Sequence, residues 1–201
     1  MGVCAMNMET LKRQIEFITE VDKIKNIFRQ NLILDKSRNE NDAEHSWHLA
    51  IMAIMLAEHS AHENMDITRV IKMVLIHDIV EIDAGDTFLY DEVANTDKDV
   101  REELAAERIF GLLPAEQKSE MIALWNEFEK KETPEAQFAA ALDGLHPLIA
   151  NHVTGSAAWI EHNVSVEKVL SKKEHIQSGS PLLWEYAKSI IEECGEKGYL
   201  V

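Results

Sequence analysis

The sequence predicts an all-α fold, one bundle of helices closed around an apolar core. Three observations carry that expectation. Apolar residues recur at spacings of three and four along most of the chain. Glycine and proline, 8 and 4 in number, are too few for a turn-rich sheet protein. Ala, Leu, Glu, Lys and Met are abundant, and most are good helix formers. At 201 residues and 46% hydrophobic content, the chain can close one sizeable core and is too apolar for disorder.

Residues 11–34 carry Leu11, Ile15, Ile18, Val21, Ile24, Ile27 and Phe28 at helical spacing and predict a first helix, with Arg29 towards its end. Residues 35–41 are polar and predict a loop. Asn41 or Asp42 is placed to cap a helix over 43–59, with Ile51, Met52, Met55 and Leu56 as its apolar face. Asp66 or Thr68 opens the next helix. Residues 70–80 are apolar on most sides and predict the central helix of the bundle, closed by Asp83-Ala84-Gly85-Asp86. A long polar loop then runs to Asp99 with Phe88, Leu89 and Tyr90 embedded in it. Helices follow over 100–112, stopped near Pro114, and over 115–131. Thr133 and Pro134 cap and start another that runs through 149. A short helix covers 164–170, and Ser180 with Pro181 begins the last, to about 193.

The net charge is −16, from 36 acidic and 20 basic residues, and no long Lys/Arg block exists. A nucleic-acid duplex is therefore not an expected partner. A small phosphorylated ligand is compatible with this charge if a dication inverts the local field. Cys4 and Cys194 are the only cysteines, which excludes a disulfide framework and predicts a reducing, cytoplasmic setting. No signal-peptide pattern opens the chain and no apolar run approaches a membrane span, so no membrane partner is expected.

The chemistry concentrates at His77-Asp78, inside the apolar run 74–80 and followed by Glu81, Asp83 and Asp86. A buried imidazole beside a buried carboxylate needs a partner, and a divalent cation serves both. His45, near the start of a helix, and Asp143, within the apolar run 139–145, offer further donors. Mixed imidazole and carboxylate donors suit Mn, Fe, Co, Ni or Zn better than a calcium site. The residues alone leave a second reading open: a buried histidine with an ordinary hydrogen bond and a capping aspartate.

The segments Ala43-Glu44-His45-Ser46-Trp47-His48 and His77-Asp78-Ile79-Val80-Glu81-Ile82-Asp83-Ala84-Gly85-Asp86, with Asp143 downstream, resemble the HD-domain metal-dependent phosphohydrolases. Within them they resemble the branch containing 5'-deoxynucleotidases. The resemblance covers about 28–150 and, more loosely, the whole chain. It implies an HD-type helical bundle, one domain over 1–201 with its metal core at about 28–150 and a C-terminal helical extension over 151–201. It implies His45, His77, Asp78 and Asp143 as ligands of one divalent ion, of Mn, Co, Fe, Ni, Zn or Mg. Glu81 and Asp86 become the catalytic candidates, Glu81 handling a proton on water or the leaving oxygen and Asp86 lying near the substrate sugar.

A phosphate ester also needs cationic partners. Arg29 and then Arg38 stand where the family has arginines, and Lys98 on the long loop is a third candidate. The implied reaction is hydrolysis of nucleoside 5'-monophosphates, ribo or deoxyribo, to nucleoside and phosphate. The alternatives are another phosphate-ester hydrolase (a pyrophosphohydrolase or cyclic phosphodiesterase) or a non-catalytic, metal-stabilised binding module. Ala84 stands where the branch has a hydroxyl residue and Gln30 where it has a tryptophan, so the resemblance does not carry a deoxyribose preference with it. His48 is expected to be structural or to support the site, the tryptophans to be packing or interface groups more than base platforms, and Met52, Met55 and Met73 to be core. A homodimer is the expected assembly.

Overall fold

A computed structural model describes residues 8–91 and 93–201; Cys4 lies outside them. Helix α1 (Met8–Val21) lies on the outside of the bundle, with no residue buried. Arg13 pins it there by donating hydrogen bonds to the carbonyl oxygens of Gly111, Leu112 and Leu113.

The helix expected over 11–34 ends early. A 3-10 segment, Asp22–Asn26, follows α1, and Ile27 is already extended at φ −93°, ψ 120°. The chain then enters strand β1 (Phe28–Leu32), paired antiparallel with β2 (Asn39–Asn41). The stretch expected to be only a loop thus supplies a strand. The cause is local. Exposure alternates along Phe28, Arg29, Gln30 and Asn31, a period of two that suits a strand and not a helix. The Asn39 side-chain amide also donates to the Arg29 carbonyl oxygen at 2.6 Å. Arg29 therefore reaches inward from a strand.

Of the two cap candidates, Asn41 caps α2 (Asp42–Leu56). Its Oδ1 accepts from the Glu44 amide at 3.0 Å, and the Glu44 carboxylate accepts from the Asn41 amide, completing a capping box. The buried face of α2 holds His45, Ser46, Leu49, Met52 and Ala53, whereas Ile51 and Met55 are exposed. Met55 is thus not core. Asp66 caps α3 (Ile67–Ile76) by accepting from the Thr68 and Arg69 amides. The single helix expected over 70–80 changes winding at His77, where a 3-10 turn covers His77–Val80. One α-turn, α4 (Glu81–Ala84), follows and stops at Gly85, whose φ of 75° lies in the left-handed region.

Helix α5 (Lys98–Phe110) begins earlier than expected, so Lys98 stands on a helix and not on the loop. After α6 (Ala115–Lys130) come α7 (Pro134–Thr154), capped by Thr133, then α8 (Ala157–Glu161), α9 (Val166–Lys173), α10 (Ile176–Gly179) and α11 (Pro181–Glu196). The fold is all-α apart from the β1–β2 ribbon, the sheet found among the described residues. None of its helices is long and apolar enough to cross a membrane, among those residues.

Helix α7 is the axis, packed by α2, α3, α6, α10 and α11. Glycines on α7 and on α10 make the closest of these contacts possible. A Cβ on Gly144 would lie 2.8 Å from His175 Nε2 and 3.0 Å from Ile176 Cγ1, and one on Gly179 would run into the Gln137 carbonyl oxygen. The main apolar cluster surrounds α7. A second, containing Ile24, Ile79, Val80, Ile109, Phe110 and Trp125, lies under the 3-10 turn. The turn carrying His77 and Asp78 is thereby clamped from both sides.

Candidate metal centre and its cavity

Helix α2, the 3-10 turn and α7 deliver donors to one point. His45 is fully buried, and its Nε2 lies 3.0 Å from Asp143 Oδ1. His77 Nε2 lies 3.8 Å from the same oxygen and 3.1 Å from Asp78 Oδ1, while Asp78 Oδ2 lies 3.9 Å from His45 Nε2. The structure thus brings together His45, His77, Asp78 and Asp143.

These residues fit a divalent ion. His77 Nδ1 donates to the Val74 carbonyl oxygen at 2.9 Å, which leaves Nε2 as the lone-pair nitrogen, buried and without a hydrogen bond. Such a group is costly unless something binds it. The electrostatics agree. Burial alone pushes the His77 pKa down, yet the Asp78 and Asp143 carboxylates overcome this and raise it to about 10. They draw a proton to the place where a cation would balance them. Against burial, the hydrogen bond with His45 and the nearby His77 imidazole hold Asp143 well below the usual carboxylate range. His77 and Arg29 hold Asp78 down in the same way. Two imidazoles and two carboxylates form a donor set for a borderline dication.

Behind His45 runs a chain in which His48 takes the supporting place expected of it, and His146 and Glu40 are residues that sequence reasoning missed. His45 Nδ1 meets His146 Nδ1 at 3.1 Å, and His146 Nε2 meets His48 Nδ1 at 3.2 Å. With His45 Nε2 free for a cation, each link has one donor and one acceptor. Burial, with His45 and His48 nearby, pushes the His146 pKa down to about 2 and keeps it neutral. The Glu40 carboxylate stands 3.6 Å from both His45 Nδ1 and His146 Nε2. The signal was present: His146 follows Asp143 by three, and His48 follows His45 by three, each on a shared helical face.

Glu81 was expected to share a face with His77. Both line the cavity, but the turn that starts at His77 is 3-10 and aligns residues three apart. Glu81 therefore joins Asp78, together with Asp42 from the start of α2. Burial first, then Asp78 and Asp42, pushes the Glu81 carboxyl well above its ordinary range. Asp42, fully buried, is raised to about 7 by burial and then by Asp78. Arg29 answers them, with Nη1 at 2.8 Å from Asp78 Oδ2 and 3.4 Å from Asp42 Oδ1.

A cavity of about 360 Å³ opens on Arg29, His77, Asp78, Glu81, Asp86 and Asp143. Asp86 is raised by burial, and Lys98 lines the cavity while paired with Glu102 at 3.3 Å. Phe88, Tyr90, Leu148 and Trp159 form an apolar wall, so Trp159 borders the cavity as well as filling the core. At its edge Asn31 Nδ2 donates to Asn151 Oδ1 at 3.0 Å. Lys131, Lys172, Lys173 and His175 also line it, and local sequence carried no signal for them.

Arg38 is the candidate that the structure leaves apart. It is exposed, does not line the cavity, and donates to both Glu44 carboxylate oxygens at 2.8 and 2.6 Å. The capping box holds that carboxylate at the surface, and the guanidinium follows it there.

The fold and donor set define a class. A family model described as an HD domain matches residues 21–184, and the chain belongs to that family. A protein named 5'-deoxynucleotidase HDDC2 from Bos taurus is 29% identical over 142 residues, covering 70% of this chain and 67% of its own length. Its namesake from Xenopus laevis is 30% identical over 133 residues, covering 66% and 64%. This chain therefore spans about two thirds, or slightly less, of these relatives. A crystal structure described as a predicted metal-dependent phosphohydrolase from Magnetospirillum magnetotacticum is 50% identical, with a TM-score of 0.91 and 96% coverage of both chains. A Pyrococcus horikoshii protein, 24% identical with a TM-score of 0.63 over 90% of this chain and 98% of its own, shares the fold. These similarities support a hydrolytic enzyme that uses a divalent metal.

Proposed function

We propose that the protein is a metal-dependent phosphohydrolase that cleaves nucleoside 5'-monophosphates, ribo or deoxyribo, to nucleoside and orthophosphate. The observation that carries this is the bare His77 Nε2, set among His45, Asp78 and Asp143 at a cavity with one charged and one aromatic side. The relatives named 5'-deoxynucleotidase and the 50%-identical metal-dependent phosphohydrolase support the same reaction class.

A divalent ion held by His45, His77, Asp78 and Asp143 supplies Lewis-acid activation of phosphate and water. The chain's own residues do the rest. Arg29, oriented by Asp78 and Asp42, faces the nonbridging phosphate oxygens. Lys98 adds positive charge. A water oxygen bonds to phosphorus as the bond to the 5'-oxygen breaks; Glu81, whose carboxyl burial and its acidic neighbours push up, gives its proton to the departing 5'-oxygen, and the water's protons go to the orthophosphate and back to Glu81. Asp86 hydrogen-bonds a sugar hydroxyl. Phe88, Tyr90 and Trp159 pack against the base, and the Asn31–Asn151 amides meet its polar edge.

This reading treats residues 1–201 as one domain and sets the enzyme in the cytoplasm, in keeping with the free, buried Cys194. It also takes the assembly to be a homodimer, which light scattering reads directly.

The test is phosphate release from a panel of esters by metal-reconstituted protein. Ribo- and deoxyribonucleoside 5'-monophosphates should be cleaved, chelation should stop the reaction, and added metal should restore it. Turnover confined to cyclic nucleotides or pyrophosphates would move the chain to that class of esters. Failure on every ester would reject the enzyme.

A further inference from the structure

Resting on the phosphohydrolase reading, we propose that Lys173, flanked by Lys131 and Lys172, is an anion subsite facing Arg29 across the cavity, and that it selects terminal, dianionic phosphate over phosphodiesters. The first support is a cluster of cations without carboxylate partners at one cavity. Acidic residues outnumber basic ones 36 to 20, and many cations find carboxylates, as in Lys23–Glu20, Lys72–Glu120 and Lys188–Glu185. Lys131, Lys172 and Lys173 line the cavity, and among the described residues none of their ammonium groups has a hydrogen-bond or ion-pair partner.

The second support is burial. Lys173 keeps only 7% of its surface exposed and lines the cavity, so holding a charge there carries a desolvation cost. Burial lowers its pKa to about 8, so it still carries its charge at neutral pH. It feels the attraction of Asp143 and the repulsion of Arg29 and Lys131, which sets it within range of the metal ligands and of both cations. Other carboxylates of the cavity are occupied or weakened. Glu102 pairs with Lys98, and burial raises Glu129.

The third support is how the fold holds Lys173. The glycines at 144 and 179 let α10 lie directly on α7, and His175 Nε2 comes to 3.2 Å from the Ala140 carbonyl oxygen. Residues 172–175 are therefore fixed beside the helix that carries Asp143. A compact ammonium with three donors suits phosphate oxygens. A phosphomonoester dianion can meet Arg29 on one side and Lys173 on the other. A diester, with one negative charge, leaves one of the two unanswered.

Inorganic phosphate is the probe, titrated calorimetrically into metal-loaded protein with metal content measured in parallel. Lys173→Met should weaken phosphate binding about tenfold or more. Metal content should not change, and thermal stability without phosphate should be equal or higher. Lys173→Arg should recover most of the affinity. In kinetics, Lys173→Met should raise KM for a monoester far more than for a diester such as bis(p-nitrophenyl) phosphate.

Unchanged phosphate affinity in Lys173→Met overturns the subsite, as does lowered stability with affinity intact. If Lys173→Met fails to fold, the exposed pair Lys131→Met/Lys172→Met carries the test. Weaker phosphate binding there supports the subsite and unchanged binding overturns it. Wild-type protein that binds phosphate through Lys173 but cleaves no 5'-monophosphate keeps the subsite and removes the proposed reaction.

Discussion

His77 and Val74 are joined by one hydrogen bond, from Nδ1 to the carbonyl oxygen at 2.9 Å, and that bond decides which imidazole nitrogen faces Asp143. It fixes the tautomer and the ring plane together. The 3-10 turn that begins at His77 then brings Asp78 and Glu81 together, so one local change of winding sets the proposed acid beside a proposed metal donor.

Removing donors should remove metal. His77→Ala and Asp143→Asn should lose most of the bound ion in an elemental analysis, and with it phosphate release. Chelation of the native protein should lower its melting temperature, because a ligand that binds only the folded state stabilises it. Full metal occupancy in His77→Ala would contradict the donor set.

The histidine chain should tune affinity. His146→Ala leaves the four donors in place but takes away the group that meets His45 Nδ1. Metal affinity, measured by competition with a chromophoric chelator, should fall about 10- to 100-fold. Activity at saturating metal should change far less. Equal affinity would reduce the chain to packing.

Glu81→Gln should lower kcat by about 10²- to 10⁴-fold at unchanged metal content. The pH profile gives the sign. The Glu81 carboxyl is raised above its ordinary range by burial and then by Asp78 and Asp42, so its proton-donating form persists to higher pH than in a free carboxyl and is lost as pH rises further. The native enzyme should show an alkaline fall in kcat that Glu81→Gln lacks. A limb that persists in the variant would belong to another group.

Gly144→Ala should destabilise by about 1–3 kcal/mol, since its Cβ would meet His175 Nε2 at 2.8 Å and the helix pair cannot separate without opening the core. Denaturant unfolding checks this. Stability equal to the native protein would mean that α10 shifts freely on α7.

His175 should contribute to acid sensitivity. Burial, with Lys173 nearby, lowers its pKa to about 4 from an ordinary value near 6.5. Between those values the unfolded chain takes up a proton that the folded one refuses, so stability falls as pH drops through this window. The loss is on the order of 1 kcal/mol after allowance for partial exposure. Melting curves of His175→Gln against pH should be flatter across the window, and an unchanged slope would assign the effect elsewhere.

Much of this was legible in the residues. Asn41, Asp66, Thr133 and Ser180 cap the helices they were expected to open, because a cap depends on amides two or three residues away. His77, Asp78 and Asp143 stood out because polar groups in apolar runs are conspicuous at short range, and His45 because its segment 43–48 carries the family resemblance. Arg29 was singled out, but on a helix in place of its strand. The pairing of β1 with β2 overrode the helical spacing, and an isolated apolar pattern cannot report that partner. Arg38 failed as a cavity residue because a neighbouring carboxylate, fixed by the cap, captured it.

The sequence by itself determined the all-α class and the caps, since each follows from residues within a turn or two of one another, and its resemblance to a family singled out the four candidate metal donors. Tertiary structure alone decided that His146 backs His45, that Glu81 sides with Asp42, and that Lys173 enters the cavity. Those outcomes depend on how closely α10 and α2 approach α7 and on the winding after His77. Packing between segments far apart in the chain sets both, and no local periodicity records it.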